Sequence, residues 1–220
     1  MRLMELKYYT VDGLYGWDQE KFTDPVMKIG GCAAVTACDS CIYFSKYMDR
    51  KELCPFDTSS EITSKEYKAF AKIMKPYLHP RWQGIDTLDI YIDGISRYFE
   101  DAVETGIEVK GFGGEEPFEK AAAALKRQIE KGIPVPCLTL KHHDSAFKDF
   151  EWHWFMITGY EEREAAANLD DLSSRTYVKV VSYGEWVWLD FERLWNTGYD
   201  KKGGLIFFEV YLSLSYVLAV

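Results

Sequence analysis

Residues 27–44, MKIGGCAAVTACDSCIYF, place a cysteine where a glycine pair meets a helix, and the predicted architecture is built around this junction. After Gly30 and Gly31, small residues and aromatics follow at helical spacing, which predicts a helix over residues 32–47. Small side chains allow neighbouring elements to pack closely on several sides. We therefore expect Cys32 to be the first residue of a buried, central helix.

Cys32 has two interpretations at this stage. A helix N-terminus supplies partial positive charge and free N–H groups, and both lower the pKa of a thiol. Glycines directly before the cysteine let a substrate approach and leave backbone N–H groups free for an oxyanion. These features make Cys32 a candidate nucleophile. The alternative is a small buried residue in a tightly packed helix.

His153 is the best candidate for a general base among the four histidines. His79 lies in a predicted loop, and His142 and His143 lie on a turn that we expect to be exposed. His153 begins a predicted strand and stands between two tryptophans, which would desolvate its imidazole and fix its orientation. The alternative is a histidine that only completes the core.

The rest of the chain predicts an α+β fold in a single domain, residues 1–220. Apolar periodicity indicates helices over residues 64–75, 86–104 and 118–131, and the first of them has a capping box. After Gly132 the pattern changes to antiparallel strands. Residues 1–131 are thus predicted to be mainly helical, and residues 132–220 mainly sheet.

Composition limits the classes of partner and compartment. The chain is 47% hydrophobic and 16% aromatic, which is typical of a globular protein. Its formal charge of −9 argues against a nucleic-acid or anionic-membrane partner. The N-terminus has no apolar signal-peptide core, and the C-terminal apolar run, residues 203–220, indicates a terminal strand. Five cysteines, an odd number, favour free thiols in the cytoplasm.

Four segments, taken in order, resemble the papain-like cysteine peptidase superfamily, nearest its bacteriocin-processing (double-glycine leader) peptidase branch. The separation of 121 residues between Cys32 and His153 is close to the spacing of papain-like enzymes. The segments resemble the Cys helix, a Gly-x-Pro-Val strand, the His strand, and a Ser-Trp-Gly turn with its following strand. They read GGCAAVTACDSCIYF (30–44), EKGIPVPCLTL (130–140), WHWFMITGY (152–160) and VVSYGEWVWLDF (180–191).

The resemblance implies a papain-like fold in which a central Cys helix packs on a C-terminal antiparallel sheet. It also implies that Cys32 is the nucleophile and His153 the general base and acid, with a peptide or protein substrate and no cofactor. The family orients its imidazole with a third polar residue, usually Asn or Asp. Here antiparallel pairing places Ser182 closest to His153, while Asp190 and Asn196 are candidates of lower rank.

The chain departs from the family pattern at the oxyanion site as well. Val26 occupies the position of the usual glutamine, and Gln19 is the only glutamine upstream of Cys32. Ala33 replaces a usual glycine and slightly narrows the approach to the thiol. Two hypotheses follow from these residues. One is a thiol hydrolase that acts on a peptide or related amide bond, and the other is a papain-like module that has lost activity and binds a peptide or protein.

The pair Cys38 and Cys41 has the spacing of a zinc or redox motif. No second pair accompanies it, and zinc sites normally need four ligands. Small buried helix residues are therefore the favoured interpretation, and no metal is expected.

Overall fold

The computed structural model of the chain describes residues 2–81, 84–103, 106–164 and 174–211, and its architecture is α+β. The described segments contain six α-helices: α1 (Pro25–Gly30), α2 (Cys32–Tyr47), α3 (Ser64–Met74), α4 (Leu88–Asp101), α5 (Phe118–Glu130) and α6 (Phe191–Trp195). They also contain nine strands: β1 (Arg2–Glu5), β2 (Thr10–Val11), β3 (Leu14–Tyr15), β4 (Ile107–Gly113), β5 (Val135–Thr139), β6 (His153–Glu164), β7 (Ser174–Ser182), β8 (Glu185–Asp190) and β9 (Gly204–Val210).

Seven of these strands form one antiparallel sheet, in which β6 lies at the centre. The order is β4-β9-β5-β6-β7-β8, and β1 also pairs with β6. Strand β5 pairs with the first half of β6, strand β1 with the second half, and β7 with residues 156–164 of β6. The remaining strands, β2 and β3, form a small hairpin.

The division into a helical part and a sheet part holds only in outline, because β1 and β4 come from residues 1–131. Strand β4 pairs with β9 along its whole length. Its residues Ile107 and Val109 alternate with charged residues, which is the pattern of a half-buried strand. The sheet therefore joins both ends of the chain, and hydrophobic side chains from Leu6 to Phe208 pack into one core cluster.

The predicted Cys helix is confirmed as α2, and it is central. It begins at Cys32, ends at Tyr47, and buries every residue from Cys32 to Ser45. Helix propensity is not what holds such a segment in place; burial on all sides does. The predicted capping box at Thr63 and Glu66 is also present at the start of α3.

Gly30 and Gly31 allow a close approach of backbone segments at the start of α2. A Cβ atom on Gly30 would lie 2.4 Å from the carbonyl oxygen of Arg81, and one on Gly31 would lie 2.3 Å from that of Met27. Both distances are far below van der Waals contact. The glycine pair is therefore needed to stop α1 and start α2 within a crowded junction, which fixes the position of Cys32.

The start of β6 is anchored by Trp154. Its indole stacks on the Tyr91 ring of α4, with ring centroids 4.4 Å apart, and its Nε1 donates to the carbonyl of Ile85 at 2.7 Å. His153 precedes this anchor directly, so its backbone position is fixed. Strand β9 confirms the predicted C-terminal strand up to Val210, and residues 212–220 lie outside the described residues. No helix in the described segments has both the length and the apolar character to cross a bilayer.

Candidate functional site

Cys32 lies at the first position of α2, where its side chain is only 3% exposed. The first N–H groups of a helix have no acceptor within the helix. The sulfur accepts hydrogen bonds from the backbone N–H groups of Trp154, Ala33 and Cys32. Burial raises the pKa of the Cys32 thiol above its ordinary value, and these three N–H groups oppose that rise without reversing it.

His153 and Ser182 are in direct contact, as the strand pairing predicts. His153 is the first residue of β6 and Ser182 the last of β7, and His153 Nε2 lies 2.8 Å from Ser182 Oγ. Burial lowers the pKa of the imidazole from 6.5 to about 4, so the ring is a neutral base at pH 7. Because Nε2 is bonded to Ser182, Nδ1 is the ring nitrogen left for proton transfer.

One contact of Cys32 and one electrostatic effect link it to the region of His153. The Cys32 sulfur lies beside the backbone N–H of Trp154, the residue that follows His153. The Tyr183 ring stacks on the His153 ring at 4.7 Å between centroids and 4° between planes. Burial raises the pKa of Tyr183 to about 12, and a Cys32 thiolate within electrostatic range adds to the rise. Cys32, His153, Ser182 and Tyr183 therefore share one site.

Tyr183 covers this site from the tip of the β7–β8 hairpin. It has a φ of +51° and is followed by Gly184 at +77°, the left-handed pair that a tight two-residue turn requires. A side chain pays a conformational cost in this region, yet the position holds a tyrosine. Its ring is 39% exposed and forms the outer wall of the site over the imidazole.

The two lower-ranked candidates for the third residue lie elsewhere. Asp190 pairs with Tyr177, at the opposite end of the β7 pairing from Ser182, and its side chain accepts from the N–H of Arg193 as the N-cap of α6. Asn196 is the C-cap residue of the same helix. Ser182 is thus the one of the three that contacts His153.

The oxyanion candidates fall into two groups. Val26, where the resemblance leads us to look for a glutamine, lies on α1 and is 43% exposed. Gln19 is 8% exposed and lines a narrow cavity together with His153 and Ser182, despite its longer separation from Cys32. Its Nε2 donates to the carbonyl of Lys28 at 3.2 Å. Ala33 is fully buried, and it contributes its N–H to the sulfur.

One expectation about the other histidines is wrong. His142 is buried, with 7% of its surface exposed, rather than lying on an exposed turn. Its Nε2 lies 3.0 Å from the carbonyl of Arg193, and its Nδ1 accepts from the N–H of Asp144 at 3.0 Å. These local bonds draw the ring inward, away from the Cys32 region.

The remaining cysteines are buried structural residues. Cys38 and Cys41 have no exposed surface on α2, as predicted, and burial raises the pKa of each thiol well above its ordinary value. Cys54 and Cys137 are buried as well, and all five cysteines are free. Within the described segments, no three His, Cys, Asp or Glu side chains are grouped to hold a metal ion.

Sequence reasoning overlooked two residues of the site, Trp17 and Asp39. Both line the narrow cavity beside Ser182, and Asp39 is 4% exposed in the middle of α2. A signal for Asp39 was present, because a carboxylate within a run of small and apolar helix residues must find buried partners. No model of a known protein family matches the chain, and no curated protein matches it.

Proposed function

We propose that this chain is a papain-like thiol hydrolase that cleaves a peptide or related amide bond through Cys32 and His153. The observation that carries the proposal is that the first residue of α2, Cys32, lies close to the start of β6, where His153 is located. The Cys32 sulfur at the head of α2 lies against the Trp154 N–H, one residue after a base that bonds Ser182 at 2.8 Å. The free thiols support the proposal of a reducing compartment, the cytoplasm.

The resting pair is neutral in this proposal. Burial favours the thiol over the thiolate at Cys32 and the imidazole over the imidazolium at His153. Proton transfer then accompanies attack: His153 Nδ1 takes the thiol proton as Cys32 Sγ bonds to the amide carbon. The carbonyl oxygen becomes an oxyanion, which we expect the N–H groups at the start of α2 to stabilise once the sulfur is bonded to carbon.

The second half of the reaction returns the enzyme to its starting state. The imidazolium gives its proton to the departing amine, and the C–N bond breaks to leave a thioester on Cys32. A water molecule, deprotonated by His153, then attacks the thioester and releases the acid and the thiol. Ser182 accepts a hydrogen bond from Nε2 throughout, which keeps Nδ1 directed to the reacting atoms.

A binding module is the second candidate, and the closed site favours it. Cys32 and His153 are 3% and 6% exposed, and the cavity beside Ser182 has a volume of about 10 Å³. A peptide needs far more room than that. In a hydrolase the Tyr183 hairpin must therefore open, whereas a binding module would use another surface and leave the site closed.

A screen with peptide electrophiles separates the two candidates. Wild-type protein is mixed with a panel of peptidyl vinyl sulfones that differ in side chains, and covalent adducts are counted by intact mass. We expect one adduct per chain, with none in Cys32→Ala. Adducts in the Cys32→Ala variant, or none in wild type across the panel, would favour the binding module.

A substitution at Tyr183 tests whether its ring closes the site over His153. Replacing Tyr183 by glycine removes the ring from His153 and relieves the left-handed strain. The first change costs about 0.5–1.5 kcal/mol and the second returns about 1–2 kcal/mol. We therefore expect the free energy of unfolding to change by between a loss of about 0.5 kcal/mol and a gain of about 1.5 kcal/mol. In contrast, the imidazole becomes hydrated, so its pKa should move up from about 4 toward 6.5.

The measurement is a histidine NMR titration of Tyr183→Gly beside Tyr183→Phe. The phenylalanine variant keeps the stacked ring and should keep the low pKa. If both variants titrate like wild type, Tyr183 does not close the site.

A further inference from the structure

The narrow cavity beside Ser182 contains two buried polar atoms that have no partner among the described residues. Trp17 Nε1 is a donor and Gln19 Oε1 is an acceptor, and their side chains are 3% and 8% exposed. Both residues line the cavity, as do His153 and Ser182. Buried polar groups are nearly always hydrogen-bonded, because an unpaired one carries a large desolvation cost. An unpaired donor and an unpaired acceptor on two residues that line one cavity indicate a ligand that can both accept and donate.

The size of the cavity selects that ligand. Its volume of about 10 Å³ is near the minimum of about 10–15 Å³ that holds one water. A water accepts from Trp17 Nε1 and donates to Gln19 Oε1, which leaves it one further proton and one further lone pair. Buried waters typically make about three hydrogen bonds. The cavity therefore suits a single water, which can bond two further polar groups, one as donor and one as acceptor.

Asp39 is the charged group on this cavity. It follows Cys32 by seven residues, two helical turns, so both side chains leave α2 on the same face. Its Oδ1 accepts from the hydroxyls of Tyr9 and Tyr67, each at 2.6 Å. Both of these bonds use Oδ1, whereas Oδ2 lies beside Gly16 and the ring of Tyr8, whose hydroxyl also interacts with the carboxylate. A carboxylate oxygen has two lone pairs, so Asp39, which lines the cavity, can still accept from a water there. The other groups that face this carboxyl are Tyr8, Tyr91, Cys38 and Cys41.

Ser182 connects this carboxylate to the imidazole. Its hydroxyl has one proton and lies 2.8 Å from His153 Nε2. When Ser182 Oγ accepts from Nε2–H, its own proton is free to be donated into the cavity. A chain then runs from Nε2–H to Ser182, to the water and to Asp39, with every donor facing an acceptor. The negative end of this chain favours the proton on Nε2, which leaves Nδ1 as the base.

We propose that Asp39 is a positioning residue for His153, acting through Ser182 and one water bound in this cavity. It supplies the carboxylate that Ser182 lacks, and it does so from the Cys helix itself. The benefit to catalysis rests on the proposed function, whereas the water site and the proton position do not.

The test is the tautomer of His153, read from the ¹⁵N shifts of its ring nitrogens at pH 7. We expect the Nε2–H form to dominate in wild type and the ratio of Nε2–H to Nδ1–H to fall about 5-fold in Asp39→Asn. That is the effect of one hydrogen bond of ordinary strength. Tyr98→Phe is the control, because it removes the hydroxyl of another buried tyrosine that bonds the carbonyl of Leu53, and neither residue lines the cavity, so the ratio should be unchanged.

Three further results complete the test. A high-resolution crystal structure should show one water within hydrogen-bond distance of Trp17 Nε1 and Gln19 Oε1, and a dry cavity would overturn the proposal. An unchanged tautomer ratio in folded Asp39→Asn would overturn it too. If Asp39→Asn does not fold, Trp17→Phe removes the donor to the water, and the ratio should again fall. A ratio that depends on Asp39 in a protein whose Cys32 forms no adduct would keep this inference and reject the hydrolase.

Discussion

Replacing His153 by alanine should slow the reaction of Cys32 with an electrophile by about 100- to 10,000-fold, the usual contribution of a general base. The effect is large because burial raises the pKa of the Cys32 thiol, so few molecules hold a thiolate at pH 7 without help. The neutral imidazole provides that help by accepting the proton during attack. The measurement is the rate of adduct formation with a reactive vinyl sulfone, followed by intact mass.

Two variants serve as controls for this rate. His142→Ala removes another buried, hydrogen-bonded histidine that lies outside the site, and it should leave the rate unchanged. Ser182→Ala removes one hydrogen bond to His153 and should slow the reaction by about 2- to 10-fold. An equal loss in His153→Ala and His142→Ala would mean that general destabilisation, not base catalysis, causes the effect.

The pH dependence of stability should reveal the buried imidazole. The pKa of His153 falls from 6.5 in the unfolded chain to about 4 in the folded one. Between these values the unfolded state binds more protons, so stability is present above pH 6.5 and is lost as the pH falls toward 4. A difference of 2.5 pKa units corresponds to about 3 kcal/mol of unfolding free energy.

Asp39 opposes this loss over nearly the same range. Burial raises the pKa of its carboxyl from 3.8 to about 6, so the folded state binds the extra proton there and gains stability as the pH falls from 6 to 3.8. The two contributions nearly cancel in wild type. They separate when the unfolding free energy of wild type is compared with that of each variant by urea titration at pH 7 and pH 4.

Wild type should lose about 3 kcal/mol relative to His153→Gln on going from pH 7 to pH 4, and gain a similar amount relative to Asp39→Asn. Comparing each variant with wild type cancels the effect of the exposed carboxylates on the free energy of unfolding, because these groups are the same in every variant. Parallel curves for wild type and His153→Gln would show that the imidazole titrates normally, and thus that the site is open to water.

The Cys helix and the His–Ser contact could be predicted from sequence because they depend on local patterns. Small residues after the glycine pair at residues 30–31 favour a buried helix. The capping box of Thr63 and Glu66 likewise predicts the start of α3. The neighbour of His153 followed from strand pairing alone, since Ser182 ends the strand that is antiparallel to β6. Such inferences need only the spacing of apolar residues and the rule that the end of one antiparallel strand lies beside the start of its neighbour.

The parts that escaped prediction depend on contacts between distant segments. Strand β1 has only four residues, and its partner in β6 lies more than 150 residues away. Val26 lies on the exposed side of α1, and the sequence spacing between Val26 and Cys32 did not indicate this helix. Asp39 could be recognised as unusual, but its role depends on Tyr9, Tyr67 and the cavity, which only the assembled fold brings together.

Site-resolved alkylation of the five cysteines tests whether His153 activates Cys32. The protein is treated with iodoacetamide at neutral pH, and the rate at each cysteine is obtained by peptide mapping of wild type and His153→Ala. All five thiols are buried, so accessibility alone gives Cys32, at 3% exposure, no advantage over Cys54, at 8%. If His153 is the base for Cys32, we expect Cys32 nevertheless to react fastest, and only the Cys32 rate to fall in His153→Ala. Equal rates at all five thiols, or a Cys32 rate that is indifferent to His153, would contradict it.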